Sequence, residues 1–195
     1  KAGALSKKDF GVAFGKSTPE SELLWENDNA DEVAYNFQYS QAMRFDDPDT
    51  GGENTDVIGK VITSIKIGLK KVGDPGSTTV SGRYWFSDGA SPPEANDPNS
   101  PDINSDSPSL DKDDLTTSFV MYEFVFDGNT RTVVAGDAVG IQFSAITTDN
   151  SNAIFMEKYN SQIDDSYLGV GDTTSWNWAG GRDRSFRFQV YGYEP

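Results

Sequence analysis

The sequence contains neither cysteine nor histidine among its 195 residues. Disulfide cross-links are therefore excluded. Ser-His-Asp and Cys-His catalytic machineries and ordinary zinc sites are excluded too, because each needs one of these side chains. An apolar run of 18 residues, the minimum for a membrane-spanning helix, is also missing, so we expect no membrane insertion. We therefore expect no conventional enzyme, and a fold that depends on its hydrophobic core.

Basic residues are scarce. Lys and Arg number 16 against 31 Asp and Glu, which gives a formal net charge of -15. Such a charge repels phosphate backbones, so nucleic acid is not an expected partner, whereas divalent cations are. The chain begins with Lys1 rather than Met and shows no signal-peptide pattern. We interpret it as a mature, processed product and expect an extracellular or cell-surface location.

Apolar and polar residues alternate from Val33 onward, while helical periodicity of useful length is absent. The alternation predicts strands around residues 33–45, 61–69, 80–86, 120–126, 139–145, 154–159, 167–168 and 186–190. Clusters of Gly, Asp, Asn and Pro between them predict turns. The pattern predicts an all-β fold: an antiparallel two-sheet β-sandwich (jelly roll) of about eight strands over residues 33–195, with an extended N-terminal arm over residues 1–32.

Two segments depart from the strand pattern. In the arm, Phe10, Val12 and Phe14 alternate with small residues as in a short strand, and Ser21 to Trp25 is predicted to form a helical turn. Residues 91–114 are rich in proline and acidic residues and poor in apolar ones. They are predicted to form a long surface loop inserted between strands, either as a variable excursion or as a site for cations or another subunit.

The order of turns and strands resembles a known group of domains. The resemblance rests on residues 62–80 (ITSIKIGLKKVGDPGSTTV), 115–119 (LTTSF), 135–141 (AGDAVGI), 149–154 (DNSNAI) and 186–192 (FRFQVYG). Together these are similar to the jelly-roll domains of large exported surface and virion-associated proteins of archaea and bacteria, over about residues 37–193. The resemblance implies a shape like that of carbohydrate-binding modules, a structural or adhesive role, and no shared catalytic motif.

One acidic cluster is a candidate calcium site. Carboxylates are frequent around Gly51-Gly52, and such hard oxygen ligands suit calcium. The candidate ligands are Asp46, Asp47, Asp49, Glu53 and Asp56. Their spacing is not that of an EF-hand, and the alternative is a polar turn in which the acidic side chains cap their own backbone.

Aromatic and acidic side chains suggest two further kinds of site. Trp85, Trp176 and Trp178 are candidates for stacking on sugar rings, although tryptophans also serve as core or interface anchors. Glu123 and Glu157 lie within predicted strands, and a glycosidase on this scaffold would need two such acids facing each other. By parity Glu123 points away from Tyr122 and Phe124, so we expect it in solvent.

The arm suggests how subunits could associate. An exposed sheet edge is a template for another strand, and Phe10, Val12 and Phe14 are suited to completing the sheet of a neighbouring copy. The main hypothesis is therefore a non-enzymatic subunit of an extracellular homopolymer, such as a filament, sheath or virion surface. The competing interpretation of the arm is the first strand of its own sandwich. The alternative function is a secreted module that binds surface glycans.

Overall fold

The computed structural model describes residues 19–30, 32–36, 38–47, 52–87, 101–107, 109–160, 167–172, 175–177 and 185–195. All regular secondary structure in these ranges is β, and no helix among them is long and apolar enough to cross a membrane. The strands are β1 (Glu22–Asn27), β2 (Glu32–Tyr35), β3 (Ser40–Arg44), β4 (Asp46–Asp47), β5 (Gly52–Glu53), β6 (Val61–Val72), β7 (Val80–Trp85), β8 (Ile103–Asn104), β9 (Val120–Val125), β10 (Ala138–Phe143), β11 (Ala153–Tyr159), β12 (Tyr167–Gly171), β13 (Trp176–Asn177), β14 (Ser185–Phe186) and β15 (Phe188–Tyr193).

The strands form two large antiparallel sheets. The seven-stranded sheet has the order β1-β15-β6-β11-β14, with β9 on the other edge of β6 and β2 beside β11. The six-stranded sheet has the order β13-β12-β3-β10-β7-β8, and β4 and β5 form a separate hairpin. The predicted all-β, antiparallel two-sheet sandwich is confirmed, although the described strands outnumber the eight predicted.

Successive long strands alternate between the two sheets. From β3 onward, β3, β7, β10 and β12 lie in the six-stranded sheet, and β6, β9, β11 and β15 lie in the seven-stranded sheet. Each matches a segment of period-two alternation, including β12, which begins at Tyr167 as expected. Every connection between these strands therefore crosses the sandwich, so residues distant in sequence meet in the core.

The core lies between the inner faces of the sheets. Ile65, Ile67 and Phe124 come from the seven-stranded sheet, and Val139 and Ile141 come from the six-stranded sheet; all are buried in one cluster. The two layers approach closely where β7 crosses β9, since a Cβ atom added at Gly82 would overlap the Phe124 side chain. Close-packed interiors of this kind respond to the loss or gain of single carbon atoms.

The first described strand begins within the segment assigned to the arm. Residues 22–27 form β1, which pairs with β15 of the same chain, and Trp25 packs against Phe188 with ring centroids 4.3 Å apart. The predicted helical turn over Ser21 to Trp25 is wrong, because this segment gains ladder hydrogen bonds and buries its tryptophan as a strand. At these positions the chain is the first strand of its own sandwich.

The acidic insertion also contributes to the sheets. Ile103 lies opposite Tyr84 in the β7–β8 pair, and Leu110 exchanges two backbone hydrogen bonds of 2.8 Å with Val80. Both apolar side chains are half-buried against the core. The end of the insertion therefore differs from the predicted surface loop, because two isolated apolar residues suffice to anchor it along β7.

Candidate functional site

Four of the five proposed calcium ligands lie in the β4–β5 hairpin or just after it. Asp46 is buried, and its Oδ1 atom lies 2.6 Å from Nε of Arg44. Glu53 is opposite Asp46 in the hairpin, and both Glu53 and Asp56 are exposed. Within the described ranges, no three acidic side chains converge as a metal site requires. Asp49 lies outside those ranges, and calcium binding stays a prediction.

The proposed sugar-stacking tryptophans do not form a surface platform. Trp85 is 0% exposed and meets Trp176 edge to face, with ring centroids 5.0 Å apart and an interplanar angle of 89°. Trp85 follows Tyr84 and so points to the outer face of its sheet, where it packs with Ala42 and Ala138. The stacking role predicted for Trp85 is therefore wrong. Trp176 is half-buried, and Trp178 lies outside the described residues.

Glu123 and Glu157 are engaged separately rather than as a pair. Glu123 is exposed, as expected, and its carboxylate accepts a 2.8 Å hydrogen bond from Ser64 Oγ. Glu157 lies on β11, and its Oε2 atom is 3.0 Å from Nη1 of Arg187. Hydrogen bonds to Asp28 and then to Glu157 raise the pKa of Arg187. These contacts give each glutamate a local partner in the sheet.

A sheet edge suitable for strand addition lies along β9. On its outer side the Val125 N–H donates to Ser107 Oγ, and the Val125 C=O accepts from the Asp106 N–H at 2.7 Å. The Phe126 N–H instead donates to Thr63 of β6. Backbone groups alternate in direction along a strand, so those of Met121 and Glu123 point to the open side.

The open part of this edge is apolar at its beginning. Met121 and Glu123 have no backbone partner on their open side in the part of the chain that the structure describes. Val120 beside them is 45% exposed, one of few large apolar side chains so placed. Phe10, Val12 and Phe14, which were predicted to fill such an edge, lie outside the described residues.

A depression of about 390 Å³ lies on the outer face of the seven-stranded sheet, next to this edge. We call it the β9 depression; it is lined by Ser21, Thr63, Ser64, Glu123, Val125, Asp127 and Tyr191. The hydroxyl groups of Ser21 and Thr63 hydrogen-bond at 2.6 Å, and Tyr191 donates to Gln189 at 3.1 Å. Hydrogen bonds between neighbouring side chains therefore fix several of the hydroxyl groups in its walls.

One side of the depression carries mixed charge. Nζ of Lys66 lies 4.6 Å from the ring centroid of Tyr191 and 4.0 Å from Oε2 of Glu123. Asp127 is exposed beyond the end of β9. The sequence patterns predicted neither the β9 edge nor this depression; the exposed parity of Glu123 was the one available signal.

A buried carboxylate holds the end of the sandwich near the β9–β10 connection. Asp137 is 0% exposed and accepts four hydrogen bonds: from the backbone of Ser87 (2.7 Å) and Val134 (3.1 Å), Tyr84 Oη (2.8 Å) and Arg131 Nη2 (3.0 Å). Burial and the adjacent Asp137 charge raise the pKa of Tyr84. Every acceptor position on this carboxylate is used structurally, so we assign it no ligand.

No protein-family model matches the sequence, and no curated protein or solved structure is significantly similar to it.

Proposed function

We propose that this protein is a non-enzymatic structural subunit of an extracellular assembly, in which the N-terminal arm of one copy adds a strand to the sheet of the next. The observation that carries the proposal is the open edge of β9, where Met121 and Glu123 present backbone donors and acceptors without partners among the described residues. Main-chain hydrogen bonds at such an edge supply affinity for an extended segment.

The pattern of the arm suits this edge. When Phe10, Val12 and Phe14 face the sandwich, they extend the layer that contains Tyr122 and Phe124 of β9. The intervening Gly11 and Ala13 would then lie on the outer face beside Met121 and Glu123. A repeated head-to-tail contact of this type gives an open polymer unless its geometry closes a ring.

The edge formed by β1 is less suited to addition. Glu22 and Glu26 lie along β1 and are exposed, and charged side chains protect sheet edges against further pairing. The β9 edge instead begins with exposed Val120 and the half-buried Met121. Glycan binding, the alternative function, loses support because Trp85 is fully buried.

Proline at position 121 tests the proposal. The Met121 N–H points to the open edge, so Met121→Pro removes that donor and blocks the approach of a strand while keeping the bonds to β6. We expect full-length wild type to sediment as a polymer with increasing concentration, and Met121→Pro to remain monomeric. A triple variant with Ser at positions 10, 12 and 14 should also remain monomeric.

The matched control is Glu26→Pro on β1, the opposite edge of the same sheet. By the same alternation, the Glu26 N–H points away from β15, so this variant should polymerise like wild type. Circular dichroism melting curves check that all variants are folded. Polymerisation of Met121→Pro at the wild-type concentration would refute addition at β9.

A further inference from the structure

The segment that follows β8 links an edge of the six-stranded sheet to the edge of β9. The Ser105 N–H donates to the Gly82 C=O of β7 at 3.0 Å, and the Asp106 N–H donates to the Val125 C=O of β9 at 2.7 Å. The Oγ atom of Ser107 accepts a hydrogen bond from the Val125 N–H at 3.0 Å. We call residues 105–107 the edge guard, because they bond both outer backbone groups of Val125 and so close that end of the β9 edge.

The edge guard closes Val125 without adding a strand to β9. Of its two bonds to Val125, one is accepted by the side chain of Ser107 rather than by a backbone carbonyl. In an antiparallel ladder, one residue of an added strand would exchange both of these bonds with Val125. An incoming strand can therefore replace the edge guard bond for bond, and the two cannot occupy this position together.

A buried hydroxyl weakens the hold of the edge guard. The Oγ atom of Ser105 is buried and has no hydrogen-bond partner among the described residues. This side chain lies against the core, since a Cβ atom added at Gly82 would be 3.1 Å from Cβ of Ser105 and would overlap Phe124. A buried hydroxyl without a partner costs free energy, which is recovered when the group returns to water. Displacement of the edge guard therefore relieves this cost.

We infer that the edge guard regulates strand addition at β9 by competing with the incoming strand for Val125. This inference rests on the proposed function and adds a control to it. A strand that pairs with Met121 and Glu123 extends its ladder to Val125 only when residues 105–107 move away. The edge guard thus raises the concentration at which copies associate, because part of the free energy of pairing goes into displacing it.

Two serine variants shift this competition in opposite directions. Ser107→Ala removes one bond to Val125, and one hydrogen bond changes an equilibrium by a net factor of about five. The concentration for half-maximal polymerisation of full-length protein, measured by sedimentation, should therefore fall about fivefold. Ser105→Ala removes the unpaired hydroxyl and should raise that concentration. Ser109→Ala is the matched control, because the Ser109 hydroxyl bonds Ser81 of β7 rather than β9, and this variant should match wild type.

Hydrogen exchange measures the edge guard separately from assembly. In monomeric samples at low concentration, NMR should show the Val125 amide exchanging about tenfold faster in Ser107→Ala than in wild type, because its acceptor is gone. The Val125 amide of Ser109→Ala should exchange at the wild-type rate. An unchanged rate in Ser107→Ala would show that Ser107 does not close the edge, and would overturn the inference.

The outcomes separate this inference from the proposed function. If Ser107→Ala polymerises like wild type while Met121→Pro stays monomeric, strand addition stands and the regulatory role of the edge guard is wrong. That role is also wrong if Ser105→Ala and Ser107→Ala shift the concentration for polymerisation in the same direction. If wild type and Ser107→Ala both stay monomeric at every concentration, both proposals fail.

Discussion

Replacing Asp137 by alanine should lower the free energy of unfolding by about 3–5 kcal/mol, because each donor left without its buried acceptor costs about 1–3 kcal/mol. The carboxylate is fully buried and accepts hydrogen bonds from the backbone of Ser87 and Val134 and from the side chains of Tyr84 and Arg131. Its removal leaves the buried Tyr84 hydroxyl without this acceptor and the Arg131 guanidinium without its counter-charge.

Arg131 also contributes to the loss of stability expected for Asp137→Ala, because Asp137 holds its guanidinium in place against Phe86. Burial alone would lower the pKa of Arg131, but the hydrogen bond and charge of Asp137 outweigh burial, and the pKa is raised. The guanidinium also lies 3.9 Å from the ring centroid of Phe86. Without Asp137, we expect the guanidinium to move toward water and the Phe86 contact to weaken.

Urea unfolding at neutral pH measures this effect. The matched control is Asp127→Ala, an exposed aspartate at the end of β9, which should change the unfolding free energy by no more than about 0.5 kcal/mol. Asp137→Asn keeps the size of the side chain but turns an amide donor toward groups that are themselves donors, so it should also destabilise. If Asp137→Ala lowers the free energy of unfolding by less than about 1 kcal/mol, the four hydrogen bonds to Asp137 do not stabilise the fold as described.

Trp85→Ala should lower the free energy of unfolding by about 3–5 kcal/mol, as expected when a fully buried large aromatic is removed. The ring is 0% exposed and packs with Ala42 and Ala138 on the outer face of the six-stranded sheet, with Trp176 against its edge. Small neighbours such as these cannot close the space that the indole leaves, because alanine has no flexible side chain to move into it.

Trp176→Ala provides the comparison, since its ring is half-buried and its removal should cost less than that of Trp85. Both variants can be followed by the same urea titration, with circular dichroism as the signal. A tryptophan whose role was sugar stacking would show the reverse behaviour: loss of glycan binding with unchanged stability. Equal stability of wild type and Trp85→Ala would contradict the packing role assigned to Trp85.

Parity explains which parts of the site could be predicted. Alternation correctly placed Trp85 on the face opposite Tyr84 and placed Glu123 on the outer face, because the direction of side chains along a strand is a local property. Burial is different. Trp85 is buried partly by Trp176, which is distant from it in sequence. No local pattern in the sequence indicates that contact.

The acidic hairpin shows the same limit. Asp46 was predicted as a calcium ligand from its acidic neighbours, yet its carboxylate lies against Arg44, two residues away on the same outer face. The spacing of the two residues was visible in the sequence. The burial of both side chains was not visible in the sequence, because burial depends on contacts made only after folding. A buried carboxylate requires a partner, and here that partner is Arg44.

The sequence by itself determined the fold class, the long strands after residue 33 and the absence of Cys and His chemistry, since alternation and composition are local properties that packing does not change. Only the tertiary structure decided that residues 22–27 belong to the sandwich, that Asp137 joins four donors from separate segments, and that β9 has an open side. These features depend on which strands become neighbours. Hydrogen bonding and burial between distant strands, rather than any single segment, select those neighbours.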